Sequence, residues 1–154
     1  MIRAVVFDLG GALEHTGNDV LMAEFAPHKG HPIGGIRQAD SRLNAALDAG
    51  ALSEEAVYRE LFRRLGSPGV PLPSDSPFSA GYRDGLAIDP RMIALVRRLR
   101  RLGCQVGLLS NTNPIHANRF RNAGLFGEFD QVVLSYEIGM LKPAPKSMPT
   151  ACAN

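Results

Sequence analysis

Three short stretches, far apart in the chain, end in groups that could do chemistry together. The first, Ala4-Val5-Val6-Phe7-Asp8-Leu9-Gly10-Gly11, is an apolar run closed by a carboxylate and followed by two glycines. The second, Gly107-Leu108-Leu109-Ser110-Asn111, ends in a hydroxyl. The third, Gly139-Met140-Leu141-Lys142-Pro143, carries a cation. Asp8 is a candidate nucleophile. A carboxylate that attacks phosphorus needs the negative charge of its target offset, and a lysine with backbone N–H groups at a helix start can do that. Gly10 and Gly11 let the backbone turn sharply and approach a bound group closely. Each stretch alone is an ordinary strand end or turn; together they point to group transfer.

The elements that would position these groups follow from the pattern of apolar residues. Ile2 to Phe7 is almost continuously apolar, which predicts a strand buried on both faces. Gln105 to Leu109 and Val132 to Ser135 give two further strands. Asp89 can cap a helix that has Pro90 in its first position, a stripe of Met92, Val96, Leu99 and Leu102, and Gly103 at its end. Asn113 and Pro114 open another, running to about Ala123 and closed by Gly124. Between the first and second strands, Gln38 to Ala49 places Leu43 and Leu47 on one helical face, with Gly50 at its end. Ser53 caps the next helix, whose first turn holds Glu54 and Glu55. Val57, Leu61 and Leu65, with Tyr58 and Phe62, form its apolar stripe, and Gly66 ends it. Val20 to Phe25 predicts a short helix stopped by Pro27, His28 to Gly35 a loop, Gly66 to Pro77 a proline-stiffened loop, and Phe78 to Gly85 a possible short helix.

The alternation of strand, helical lobe, helix, strand, helix, strand predicts an α/β fold with a parallel sheet and right-handed crossovers. Residues 1–14 and 86–154 form its core, and residues 15–85 form a helical lobe with no strand of its own. The carboxyl ends of parallel strands open onto the ligand crevice. Asp8, Ser110 and Lys142 are therefore expected along one rim.

The totals bound the remaining possibilities. The chain has 154 residues, 45% hydrophobic and 21% charged, as in a soluble globular protein. A formal charge of +2 does not imply nucleic acid, and Arg97, Arg98, Arg100 and Arg101 read as the wet face of a helix. Cys104, expected to be buried, and Cys152, in the polar tail, have no metal-ligand spacing and suit a reducing compartment, so cytoplasm is the default. No stretch is apolar and long enough to cross a membrane, and the start does not resemble a signal peptide. His28, His31, His116, Arg37 and Arg42 read as solvated surface groups.

The three stretches resemble the motifs of the haloacid dehalogenase-like (HAD) hydrolase superfamily, in the same order and with a helical insertion after the first. Val5-Val6-Phe7-Asp8-Leu9-Gly10-Gly11 is similar to the first motif, Gly107 to Asn111 to the second, and Gly139 to Pro145 to the third. The resemblance implies a Rossmann-like parallel-sheet core with an inserted α-helical cap, acting on a small phosphorylated substrate. It implies that Asp8 forms an aspartyl-phosphate, that Ser110 holds the phosphoryl group with Asn111 and Gly11 beside it, and that Lys142 orients the nucleophile and offsets charge. Magnesium would sit on Asp8 and the backbone carbonyl of Gly10.

Two departures accompany the match. The family's second Asp, which serves as general acid and then as base, is Gly10 here. That loss alone is worth about 10²- to 10⁴-fold in rate. The chain also reaches Asn154 before the family's fourth motif, and Lys146 to Asn154 contain no Asp or Glu, while Pro149 interrupts the expected helix. The core is expected to be incomplete, its end to reflect a frameshift or early stop, and magnesium to bind weakly. Ile2 to Phe7 would then be an apolar edge inviting a homodimer. Three functions remain open: an impaired phosphatase, an inactive binding or interaction module, and a haloacid dehalogenase, whose chemistry needs neither the second Asp nor magnesium.

Overall fold

The computed structural model describes residues 2–16, 42–69, 71 and 86–143. The expectations for Val20 to Phe25, His28 to Gly35, Arg37, Phe78 to Gly85, most of the proline-rich loop, Cys152 and the chain after residue 143 lie outside the described residues.

Ala4–Phe7 (β1), Gln105–Ser110 (β4) and Gln131–Leu134 (β5) form a parallel sheet in the order β1-β4-β5. Phe7 lies opposite Leu108 and Ser110 opposite Leu134, so the three strands run out at the same edge. Asp130 continues the pairing below β5: its N–H donates to the Val106 carbonyl at 2.8 Å, and its carboxylate accepts from the Val106 N–H at 2.7 Å.

Along the chain, Pro90–Arg101 (α3) precedes β4, and Pro114–Asn122 (α4) lies between β4 and β5. α3 begins where the sequence says it should, with the Asp89 side chain accepting from the Arg91 N–H and Pro90 in the first turn. Its buried face differs from the predicted stripe. Ile93 and Val96 are buried with Met92 and Leu99 beside them, whereas Leu102 is 69% exposed. Leu102 falls on the helix cap, where the chain is already turning toward β4. Phe7, Leu9, Leu13, Val106, Leu108, Phe120 and Phe129 complete this core, and the four arginines lie on the outer surface with Arg97 paired to Glu128 and Arg100 to Asp130.

A second core belongs to the lobe. The helix over 42–48 (α1) and Glu54–Arg64 (α2) bury Leu43, Leu47, Val57, Tyr58, Leu61 and Phe62 against one another. Ser53 caps α2 through the Ala56 N–H, and Glu54 and Glu55 occupy its first turn as predicted. Ile115 of α4 packs on this cluster, so the lobe rests on the start of α4. A close approach fixes the docking: at Gly50, whose φ is +68°, a Cβ would stand 2.6 Å from the Tyr136 carbonyl oxygen.

Several elements depart from the sequence reading. Glu14–Thr16 (β2) and Leu86–Ile88 (β3) pair antiparallel, so a ribbon joins lobe and core where the lobe was expected to have no strand of its own. Three-residue strands in polar surroundings carry too little alternation to be recognised. The segment Leu125–Glu128 is a 3-10 turn, and Ser135 does not end a strand but opens the short helix Ser135–Ile138 (α5). β1 is not covered on both faces or both sides. Val6 is 45% and Ile2 73% exposed, and among the described residues β1 pairs only with β4.

Candidate active site

The parallel register brings the first two chemical stretches to one edge, and the third follows α5 after the last strand. β1 ends at Phe7, opposite Leu108, so Asp8 emerges beside Leu109, and Ser110 ends the neighbouring strand one residue further on. The turn after Asp8 is tied back to Leu9, whose carbonyl accepts from the N–H groups of Leu13 (2.9 Å) and Glu14 (3.2 Å). Gly11 makes this turn at φ +75°, a conformation that disfavours side chains. Its N–H donates to the Glu14 carbonyl at 2.9 Å and thus serves the turn itself.

Lys142 reaches the nucleophile candidate directly. Its Nζ lies 2.6 Å from Asp8 Oδ1 and donates to the Leu109 carbonyl at 3.0 Å. The Leu9 N–H also donates to Asp8 Oδ1, at 2.7 Å. Asp8 is thus oriented by a cation and an amide while its side chain remains about half exposed. The lysine is held in turn by Asn111, whose side-chain amide clasps its backbone on both sides. Lys142 N donates to Asn111 Oδ1 at 2.8 Å, and Asn111 Nδ2 donates to the Lys142 carbonyl at 3.0 Å. Asn111 therefore places the cation. Ser110 is buried, and its hydroxyl donates to the Asn111 carbonyl at 3.3 Å.

Behind this rim lies a buried polar network that the sequence does not announce. The Asn113 side chain caps α4 by accepting from the His116 N–H, while its Nδ2 donates to Asp48 Oδ1 at 3.2 Å. Ser135 Oγ accepts from the Thr112 N–H at 2.9 Å and directs its own proton at the carbonyls of Asp48 and Thr112. Burial pushes the Asp48 carboxyl up, against the opposing effects of the Asn113 amide and the charge of His116. His116, expected at the surface, is buried instead: Nδ1 is 3.0 Å from Thr112 Oγ1 and Nε2 3.2 Å from Glu14 Oε1. Polar residues one helical turn apart, such as Thr112 and His116, were the only hint; a helix two turns long presents no pattern that separates its inner face from its outer one.

Magnesium can be tested against the donors available. Among the described residues no group of three or more His, Cys, Asp and Glu stands close enough to hold a metal. The Asp8 carboxylate and the Gly10 carbonyl supply two oxygens. Magnesium commonly keeps several of its waters, so few protein oxygens are needed to hold it.

Known proteins resemble the chain over nearly its whole length. A family model for haloacid dehalogenase-like hydrolases matches residues 2–154. A D-ribitol-5-phosphate phosphatase from Bacteroides thetaiotaomicron is 30% identical over 158 residues, covering 95% of this chain and 73% of the relative. The solved structure of a predicted HAD-like family hydrolase from Porphyromonas gingivalis superposes with a TM-score of 0.74 at 29% identity, covering 96% of this chain and 73% of that one. A HAD family enzyme from B. thetaiotaomicron, crystallised with magnesium and inorganic phosphate, superposes with a TM-score of 0.72 at 23% identity, covering 95% and 75%. Among the described residues no helix is long and apolar enough to cross a membrane.

Proposed function

The chain belongs to the haloacid dehalogenase-like hydrolases, and on that premise we propose that it hydrolyses a small phosphorylated substrate by attack of Asp8 on phosphorus. The observation that carries the proposal is the contact of Lys142 Nζ with Asp8 Oδ1 at 2.6 Å, in a carboxylate that still faces solvent. Asp8 forms a bond to phosphorus while the ester oxygen leaves with the bonding electrons and takes a proton from water. A second water then attacks the phosphoryl group, loses a proton to solvent, and releases inorganic phosphate and the free carboxylate. Lys142 offsets the charge that builds on the phosphoryl oxygens, and Ser110 and Asn111 form the wall opposite Asp8. Bound magnesium, held weakly by Asp8 and the Gly10 carbonyl, would screen the charge of the incoming phosphate.

No side chain at position 10 protonates the leaving group, so the proposed enzyme is slow, by about 10²- to 10⁴-fold relative to a site that has a general acid there. Turnover of p-nitrophenyl phosphate with added magnesium, in the protein and in Asp8→Ala, decides the matter. Release that vanishes in Asp8→Ala supports the hydrolase. Equal release from both proteins removes it and returns the alternative of a HAD-like binding or interaction module, which Gly10 favours. The same proposal includes pairing of two copies through the exposed edge of β1, where Val6 is uncovered, and a reducing, cytoplasmic setting in which Cys104 stays a free thiol. Sedimentation of a monomer at micromolar concentration would count against the pairing.

A further inference from the structure

The turn that carries Asp8 holds a second carboxylate that the reaction above does not use. Glu14 is 1% exposed. Burying a carboxylate is unfavourable unless it is paired, and here it is approached from α4, with His116 Nε2 3.2 Å from Oε1. On its other side the ring is held by Thr112, whose Oγ1 lies 3.0 Å from Nδ1. The residue is held by its backbone as well. It bridges to Gly10, and its carbonyl accepts from the Gly11 N–H at 2.9 Å. Glu14 is thus fastened to the two glycines just after Asp8 and, through His116 and Thr112, to the helix that starts just after Ser110.

The space beside Gly10 is where the two ends of this chain of contacts meet. A Cβ built on Gly10 would have Glu14 Oε1 as its near neighbour, at 3.6 Å. That is ordinary contact for a methyl group. A carboxylate attached to the same Cβ would bring a second negative charge toward a carboxylate that is already buried, and like charges in a poorly solvated site repel strongly. We propose that Glu14 takes the place, in space, of the side chain that Gly10 lacks, and that the Glu14–His116–Thr112 series is a positioning device that holds the Asp8 turn against the Ser110 loop. The glycine and the glutamate form one arrangement: a carboxylate at position 10 and a carboxylate at position 14 exclude each other. The positioning role rests on the hydrolase reading; the mutual exclusion does not.

The test is a cycle of full-length variants, Gly10→Ala, Gly10→Asp, Glu14→Gln and Gly10→Asp/Glu14→Gln, read by thermal unfolding midpoint and by kcat and KM on p-nitrophenyl phosphate. Gly10→Ala is expected to melt near the parent. Gly10→Asp is expected to melt well below Gly10→Ala, and adding Glu14→Gln is expected to restore much of the difference. Glu14→Gln alone is expected to lower kcat by about 10- to 100-fold, the range for a reacting group displaced by up to an ångström, with KM little changed. A fall confined to the melting midpoint, with kcat intact, overturns the positioning role. Equal melting of Gly10→Ala and Gly10→Asp, or an equal effect of Glu14→Gln in both backgrounds, overturns the mutual exclusion. Should Glu14→Gln fail to fold, the comparison of Gly10→Ala with Gly10→Asp is decisive alone. Absence of Asp8-dependent turnover in every protein removes the hydrolase reading, while the melting cycle still decides the arrangement.

Discussion

Replacing Asn111 by Ala tests how the cation is delivered to Asp8. Its side chain makes two hydrogen bonds to the backbone of Lys142, at 2.8 and 3.0 Å, and both groups are near the surface, so water can replace what is lost. Each bond is then worth roughly 0.5–1.5 kcal/mol net, and the pair roughly 1–3 kcal/mol, which is a shift of about 5- to 150-fold in the balance between docked and undocked Lys142. The docked state keeps Nζ against Asp8 and the Leu109 carbonyl, so an amine reagent meets it mainly after undocking. The rate of Lys142 acylation, followed by peptide mass spectrometry, is expected to rise by that factor. Asn111→Asp, which keeps the acceptor for the Lys142 N–H but loses the donor, should fall between. A Lys142 acylation rate the same in all three proteins would refute the reasoning.

Other outcomes follow from burial and packing. Asp48→Asn keeps the acceptor for Asn113 and abolishes the charge. Because burial raises the Asp48 pKa, the folded protein binds that proton more tightly than the unfolded chain, and the stability this confers is complete below 3.8 and lost as pH rises through the raised value. The variant should therefore melt higher than the parent at pH 7, with the gain disappearing toward pH 3.8; a gain equal at both pH values contradicts this. Leu61→Ala, at a fully buried position of the lobe core, should cost about 2–5 kcal/mol in urea unfolding. Gly50→Ala combines a left-handed backbone with a Cβ 2.6 Å from the Tyr136 carbonyl, so it should destabilise by more than the roughly 1 kcal/mol that the same change gains at a compatible glycine, and an unchanged melting midpoint would show that the lobe does not rest there.

The sequence made the helices legible because their ends carry side-chain chemistry that acts locally. Ser53, Asp89 and Asn113 each accept from a backbone N–H two or three residues on, and Pro90 and Pro114 occupy first turns. Such contacts form within one turn and need no knowledge of the rest of the fold. The β2–β3 ribbon was invisible for the opposite reason. It joins Glu14–Thr16 to Leu86–Ile88 across the whole lobe, and neither three-residue segment has a hydrophobic alternation of its own. Leu102 was misassigned because helical spacing gives a face but not the residue at which the chain turns off the helix.

The site divides along the same line. Asp8 and Ser110 stand at the ends of neighbouring parallel strands, a position the apolar runs before them indicate, and Lys142, beyond α5, comes within 2.6 Å of Asp8. Glu14, Asp48, Thr112, His116 and Ser135 could not be found from the sequence, since a polar residue in a short element reads as solvated by default, and only the packing of the lobe and ribbon on α4 reverses that. Buried polar groups in such a network are high-stakes: satisfied, they fix one arrangement, and unsatisfied, they destabilise it. Asp48 sits at the end of the lobe helix, Glu14 at the start of the ribbon, and both reach α4 through Asn113 and His116. The element that follows Ser110 is therefore one on which the lobe and the Asp8 turn converge, and Ser135, bonded to both Asp48 and Thr112, adds a second link between the lobe and the Ser110 loop.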